Sequence, residues 1–277
     1  MSAPVMSRRW PVDRWISPTT LNNYRNCALR VRLAHLDRVP EPFVYNVFLR
    51  KGRIAHDILR SIAYALRRNA APVDDETVLR MARLRLPPQN FPSEDARMAD
   101  ARDILRWVNV GRRYLEGIPD PEWLVIERNL NRPIRLFPKV PDYTLIARPD
   151  VIVQRHDIGD RPVFEIIDYK TGKRRPDDTP AVIMRYVARN LLGQRVGNAS
   201  SADVRFTWLW LDSGEKDVRD LSVDFCTHIW GEITADLERL ASEHEWKPNP
   251  SFLCNYCPYY RHVCTEQIPY DDVYARM

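Results

Sequence analysis

Phe164-Glu165-Ile166-Ile167-Asp168-Tyr169-Lys170-Thr171-Gly172 is the stretch that decides how this 277-residue chain reads. Its β-branched and aromatic residues predict a strand over 162–169. Side chains alternate along a strand, so Asp168 and Lys170 share one face while Glu165 and Tyr169 point to the other. Pro149-Asp150 lies 18 residues before Asp168. A strand is predicted over 143–154 with Asp150 ending it, and His156-Asp157-Ile158-Gly159-Asp160 reads as a hairpin turn. Such a hairpin brings Asp150 beside Asp168. Two adjacent carboxylates repel unless a cation lies between them, and Mg²⁺ accepts an oxygen site of this kind. Lys170 is then placed to orient a water or to stabilise developing negative charge. Glu165 falls on the wrong face to be a ligand. Glu127, on an earlier strand, is read either as facing the site or as an edge carboxylate.

Outward from this centre the chain alternates in character. Ser17 and Thr19 around Pro18 predict a helix over 17–36. Further helices are expected over 49–67, with Ile54, Ile58, Ile62 and Ala65 on one face, and over 75–86 and 94–115, split by the break Pro87 to Pro92. After Pro121 short strands follow, over 123–130, 134–137 and 204–211, with helices over 181–192 and 224–244. The fold class is therefore α/β, a sheet core with a helical N-terminal part and a small C-terminal lobe. Four parts are expected: 1–48, a basic helix; 49–120, helical; 121–245, the core; and 246–277, the lobe.

A hydrophobic fraction of 44% supports a packed core and excludes wholesale disorder. No apolar run approaches the roughly 20 residues of a membrane span; Phe206 to Leu211 is only strand length. Arg8 and Arg9 precede no apolar region, so no secretory signal is expected and the protein is read as cytoplasmic. Nine Gly against 22 Pro leave no phosphate-cradling loop, and Thr171-Gly172-Lys173 is only a fragment of one. Residues 1–40 hold seven Arg and two Asp, the whole of the net charge of +5. Lys170, Lys173, Arg174 and Arg175 form a second basic cluster. Both point to a polyanion partner.

Pro149-Asp150 followed by Asp168-Tyr169-Lys170-Thr171-Gly172, with Gly52-Arg53-Ile54-Ala55-His56 on an earlier helix, resembles the RecB-like branch of the PD-(D/E)XK nucleases. The resemblance implies a restriction-endonuclease-like mixed sheet core and a Mg²⁺- or Mn²⁺-dependent DNA exonuclease. It implies His56, Asp150, Asp168 and the Tyr169 carbonyl as metal contacts, and Lys170 as the catalytic lysine beside Asp150 and Asp168. The branch commonly carries Gln-x-x-x-Tyr on the next helix. Tyr186 matches, but Val182 stands where the Gln belongs, so Arg185 or Arg189 is a candidate to take over DNA contact, with Tyr186 and Lys173. With no motor domain, single-stranded or frayed DNA ends are the expected substrate. Recombination, repair, phage DNA metabolism and CRISPR adaptation are the settings, and proteins of recombination or CRISPR adaptation the expected partners. The alternative is a non-cleaving nucleic-acid-binding module with a degenerate site.

Five cysteines, an odd count, argue against a disulfide framework. Cys254-x2-Cys257, six residues, then Cys264 is a soft-metal cluster in search of a fourth ligand. Cys27, Cys226 and His262 are candidates, and both zinc and iron–sulfur suit the residues. Ser17, Leu21, Tyr24 and Cys27 match at each spacing the Ser-x-x-x-Leu-x-x-Tyr-x-x-Cys helix of the AddB type and of the fourth CRISPR-associated exonuclease family. That resemblance implies a 4Fe-4S cluster on Cys27, Cys254, Cys257 and Cys264, and hence a C-terminal iron–sulfur lobe. Ala28 in place of the usual Pro, and a last gap of six rather than five, keep zinc as an alternative. Cys226 is read as a packed small side chain. Tyr256, Tyr259 and Tyr260 are read either as base-stacking aromatics or as core.

Overall fold

The computed structural model of the chain describes residues 15–41, 46–136, 140–158, 163–174, 176–196, 203–260 and 262–264. In chain order the principal elements are β1 (Trp15–Ile16), α1 (Pro18–Asn26), α2 (Ala28–Val31), α3 (Val47–Arg67), α4 (Asp75–Arg85), α5 (Glu94–Glu116), β2 (Glu122–Ile126), β3 (Leu130–Leu136), β4 (Val140–Ala147), β5 (Val151–Arg155), β6 (Val163–Lys170), α6 (Asp178–Val196), β7 (Asp203–Trp210), β8 (Lys216–Asp220) and α7 (Val223–Ser242). The chain forms two compact units, one of Met1–Val44, Asn131–Ile146 and His228–Met277, the other of Tyr45–Leu130 and Ala147–Thr227. Arg8, Arg9, Arg14, Phe137, Gly159, Asp160 and Arg175 lie outside the described residues.

The second unit is built on a five-stranded mixed sheet in the order β2-β5-β6-β7-β8. β5 and β6 pair antiparallel with Val151 opposite Ile167, and β6 and β7 pair parallel with Asp168 opposite Trp208. Parallel neighbours need a crossover, which α6 supplies. Phe164 and Ile166 on one face of β6 and Ile167 and Tyr169 on the other are all buried, as expected for a strand covered on both sides. Ile54, Ile58, Leu59 and Ile62 of α3 join Ile104, Trp107 and Val108 of α5 in one core with Ile167 and Tyr169. α3 and α5 cross closely at Gly111, where a Cβ would come within 2.6 Å of Leu59 Cδ2. Any larger residue there would force Leu59 to shift within the core.

The first unit carries the three-stranded sheet β1-β4-β3, with β1 parallel to β4. Of the two caps the sequence offers for the first helix, Ser17 is used: it accepts the Thr20 N–H at 3.1 Å, with Pro18 in the first turn.

Four expectations need correction. The helix over 17–36 is interrupted: Cys27 is extended (φ −165°, ψ 108°), so α1 stops, α2 restarts, and Arg32–Leu36 continue as a π-turn. The strand over 143–154 is two strands in different sheets, divided at Arg148-Pro149-Asp150, because Pro149 has no N–H for a ladder. Asp150 accordingly stands just before the start of β5 rather than at the end of a strand. In an antiparallel pair that start faces the end of β6, so Asp150 still arrives at Asp168. Finally, β8 has no counterpart in the sequence reading. Its residues Lys-Asp-Val-Arg-Asp are largely exposed, as suits a charged sheet edge, and they give no apolar alternation.

Glu165, on the face of β6 opposite Asp168, is spent on structure. It is 1% exposed, and Oε1 accepts from Tyr114 Oη and Thr207 Oγ1, both at 2.5 Å, while Oε2 accepts from Arg155 at 2.8 Å. Removing one partner of a buried pair leaves the other uncompensated. We expect Glu165→Ala to lower unfolding free energy by about 3–5 kcal/mol in urea denaturation, without loss of divalent-metal binding in the protein that stays folded. A loss of metal binding with stability unchanged would place Glu165 in the site after all.

Candidate metal and phosphodiester site

Asp150 gathers the site. Its backbone carbonyl accepts the Glu127 N–H at 2.8 Å, its Oδ2 accepts the Tyr169 N–H at 2.7 Å, and its Oδ1 lies 3.0 Å from His56 Nδ1. Four segments are thereby drawn together: α3, the end of β2, the start of β5 and the end of β6. The His56 ring stands edge-on to Tyr169, with centroids 5.6 Å apart. The Gly of Gly52-x-x-x-His56 has a physical reason. A Cβ at Gly52 would meet Thr171 Oγ1 at 2.7 Å, so glycine lets α3 approach the chain leaving β6.

His56, Glu127 and Asp150 each offer a ligand atom within 4.8 Å of the others. Glu127, which the sequence left undecided, belongs to this trio. Its residue takes a positive φ of 41°, its carboxylate is largely buried, and Oε1 has no hydrogen-bond partner. Oε2 accepts from Arg60 at 3.1 Å and from Arg148 at 2.6 Å. Burial and the Asp150 charge push the Glu127 carboxyl up, against the lowering pull of Arg60 and Arg148. An unpaired buried oxygen beside an imidazole and a second carboxylate is a donor set that suits Mg²⁺ or Mn²⁺, so these residues fit a hard divalent cation.

Asp168 and Lys170 lie on the face of β6 opposite Glu165, as alternation demands, with Lys170 Nζ 2.6 Å from Asp168 Oδ2. Asp168 is not one of the clustered trio, although its charge is felt there. Burial raises its pKa most, Lys170 pulls it down, and Asp150 raises it again. Burial lowers the Lys170 pKa, but Asp168 more than compensates, so the amine stays protonated. His56 behaves alike: burial lowers its pKa, Asp150 and Asp168 raise it further, and the net shift is upward.

The trio opens into a cleft of about 590 Å³, lined also by Arg53, Arg60, Arg148 and Thr171. On α6, Val182 is buried, Tyr186 and Arg185 are half-buried, and Lys173 before it is exposed. Arg174 of the basic cluster is engaged by Asp217 and Glu215.

In the first unit, Cys27, Cys254, Cys257 and Cys264 line one small cavity of about 30 Å³ with Arg30, Leu253 and Tyr260. The extended backbone at Cys27 that breaks the first helix puts it among the C-terminal three. Burial, then Cys27, Cys257 and Cys254, pushes the Cys264 thiol up to about 11. Cys226 belongs to the second unit and His262 is exposed; neither lines the cavity. Tyr259 and Tyr260 pack in a core with Leu29 and Leu33, and only Tyr256 of the three tyrosines is exposed. The stacking expectation is thus withdrawn for Tyr259 and Tyr260.

A mixed sheet with a buried acidic–histidine cluster and a lysine at the ends of two antiparallel strands defines a class of hard-cation, phosphodiester-directed site. The PD-(D/E)XK nuclease superfamily profile matches residues 15–265, and the chain belongs to that superfamily. A solved structure described as "Crystal structure of SSO0001" is similar over 87% of this chain and 95% of that one, at 16% identity and a TM-score of 0.34, and no argument rests on it. No curated protein matches the chain.

Folding raises the His56 pKa above its ordinary 6.5. In chelator the protonated ring therefore contributes stability that is fully present below that value and is lost as pH rises through the folded-state pKa. A ligating imidazole must be neutral, so metal binding competes with the same proton. We expect Mn²⁺ affinity, read by calorimetry, to tighten as pH rises from about 6 to 9, and His56→Ala to weaken it and flatten the dependence. A wild-type affinity independent of pH would remove His56 from the ligand set.

Proposed function

We propose that the protein is a metal-dependent DNA exonuclease of the RecB-like branch, acting on single-stranded or frayed ends, with a 4Fe-4S cluster held by Cys27, Cys254, Cys257 and Cys264. The observation that carries the nuclease reading is the His56–Glu127–Asp150 trio at an open cleft, with Asp168 and Lys170 at the same strand end. A divalent cation bound there supplies Lewis-acid polarisation of a phosphodiester. His56, Glu127 and Asp150 would hold it, and Asp168 adds negative charge beside Asp150. Lys170 stays an ammonium beside Asp168, so it acts by stabilising negative charge developing at phosphorus rather than by removing a proton. Tyr169 fixes Asp150 through its N–H. Tyr186, Arg185 and Lys173 are proposed DNA contacts; Val182 offers no polar group in place of the Gln, which leaves backbone positioning to cationic side chains.

The test is one labelled oligonucleotide presented as single strand, blunt duplex and covalently closed circle, in Mg²⁺ and in Mn²⁺. Single strands should be degraded fastest and EDTA should stop the reaction. Asp150→Ala, Asp168→Ala and Lys170→Ala should each lower the rate by a factor of about 100 or more with unchanged circular dichroism. Equal cutting of all three substrates would mean an endonuclease. Binding of DNA without cutting by wild type would favour the non-cleaving module.

The four cysteines line one cavity, which suits a metal held by thiolates, and the Ser17–Leu21–Tyr24–Cys27 spacing favours iron–sulfur over zinc. Protein purified without oxygen should be brown and carry about four irons per chain. Cys27→Ala and Cys264→Ala should lose them, and Cys226→Ala should not. Colourless protein with stoichiometric zinc would sink the cluster.

A further inference from the structure

α3 turns one stripe toward the cleft. Arg53, His56, Asp57 and Arg60 stand at positions i, i+3, i+4 and i+7, which share a helical face, and all four line it. Arg148 joins them from the Pro149 break, two residues before Asp150. Three guanidiniums thus surround a metal-type trio on one wall of one cleft.

Their pairing is incomplete. Arg60 and Arg148 share a single carboxylate oxygen, Glu127 Oε2, and their side chains are still 36% and 51% exposed. Arg60 also meets Asp57 at 3.1 Å. Arg53 is exposed and has no hydrogen bond or ion pair among the described residues. A guanidinium offers five donors in a rigid fork, so one bonded to a carboxylate keeps others for a second anion. The Arg60–Asp57 pair is exposed and contributes little to folding, and Arg53 pairs with nothing among the described residues, so stability does not account for three arginines here. With His56 neutral, as a ligand must be, three arginines balance Asp57, Glu127 and Asp150, and a divalent cation tips the cleft to positive. A polyanion is then the fitting occupant.

We propose that Arg53, Arg60 and Arg148 bind backbone phosphates of the substrate strand on either side of the phosphodiester presented to His56, Glu127 and Asp150. Glu127 acts toward the arginines as a positioning residue, holding two of them at the cleft wall. The proposal rests on the nuclease reading above and adds the residues that hold the strand.

The experiment measures binding of a labelled single-stranded oligonucleotide by fluorescence anisotropy in Ca²⁺ across a salt series, with Mn²⁺ affinity by calorimetry and cleavage of the same oligonucleotide in Mn²⁺ alongside. Each phosphate contact to a single strand contributes about 0.7 to the slope of log affinity against log salt. Arg53→Ala and Arg148→Ala should each weaken DNA binding roughly three- to tenfold and lower that slope by about 0.7. Mn²⁺ affinity should be unchanged in Arg53→Ala, whose side chain touches none of the trio, and Arg53→Lys should keep most of the DNA affinity. A merely structural arginine would not move the salt slope. Wild-type affinity and slope in both alanine variants, while wild type binds and cleaves, would overturn this proposal and leave the nuclease reading standing. Wild-type protein that neither binds nor cleaves the oligonucleotide would overturn both.

Discussion

Asp150 is the constraint on which the second unit depends. It stands before β5 because Pro149 ends one strand and cannot join the next ladder, and the antiparallel register sets it against the end of β6. There it makes a backbone bond to Glu127, a side-chain bond to the Tyr169 N–H and a 3.0 Å contact with His56. A one-residue slip of β5 against β6 would carry Val151 and Val153 to the opposite face of the sheet, out of the core they share with Ile167 and Tyr169, so that packing enforces the geometry of the carboxylate. Core packing and site geometry are the same constraint seen from two sides.

The distribution of acids follows from strand alternation. Glu165 and Asp168 are three residues apart on one strand and meet opposite fates. The first is neutralised by Tyr114, Thr207 and Arg155 within the core; the second faces Lys170 with its charge opposed by burial and by Asp150. A carboxylate with three donors is structural, whereas Glu127 Oε1, buried and without a hydrogen-bond partner, has a lone pair to offer a cation.

Much of this was legible in the sequence. Asp168, Tyr169 and Lys170 were readable because alternation assigns faces without knowledge of packing, and β5–β6 pairing followed from a turn-forming segment between two apolar runs. Helices α3, α4 and α5 announced themselves by apolar spacing and by breaks rich in proline. Glu127 was not separable from an edge carboxylate, because its place depends on a left-handed backbone step after β2 and on two arginines distant in sequence. β8 was missed because a charged edge strand hides the alternation that identifies buried ones. The break at Cys27 was missed because helical spacing continues through it; the extended φ and ψ there are set by where the cysteine has to go, which local propensity does not encode.

The two clusters also divide the chain by ligand chemistry. His56, Glu127 and Asp150 offer nitrogen and oxygen, suited to Mg²⁺ or Mn²⁺; the cysteines offer only sulfur, suited to zinc or iron. Neither set is good at the other's task. Carboxylates suit an exchangeable cation that keeps waters and can meet a substrate in an open cleft, while thiolates gathered in a small cavity flanked by Leu253 and Tyr260 suit a structural metal. The cysteines come from segments near both ends of the described chain, 27 and 254–264, and both ends lie in the same unit. A metal joining them would close a loop of sequence that contains the whole of the other unit.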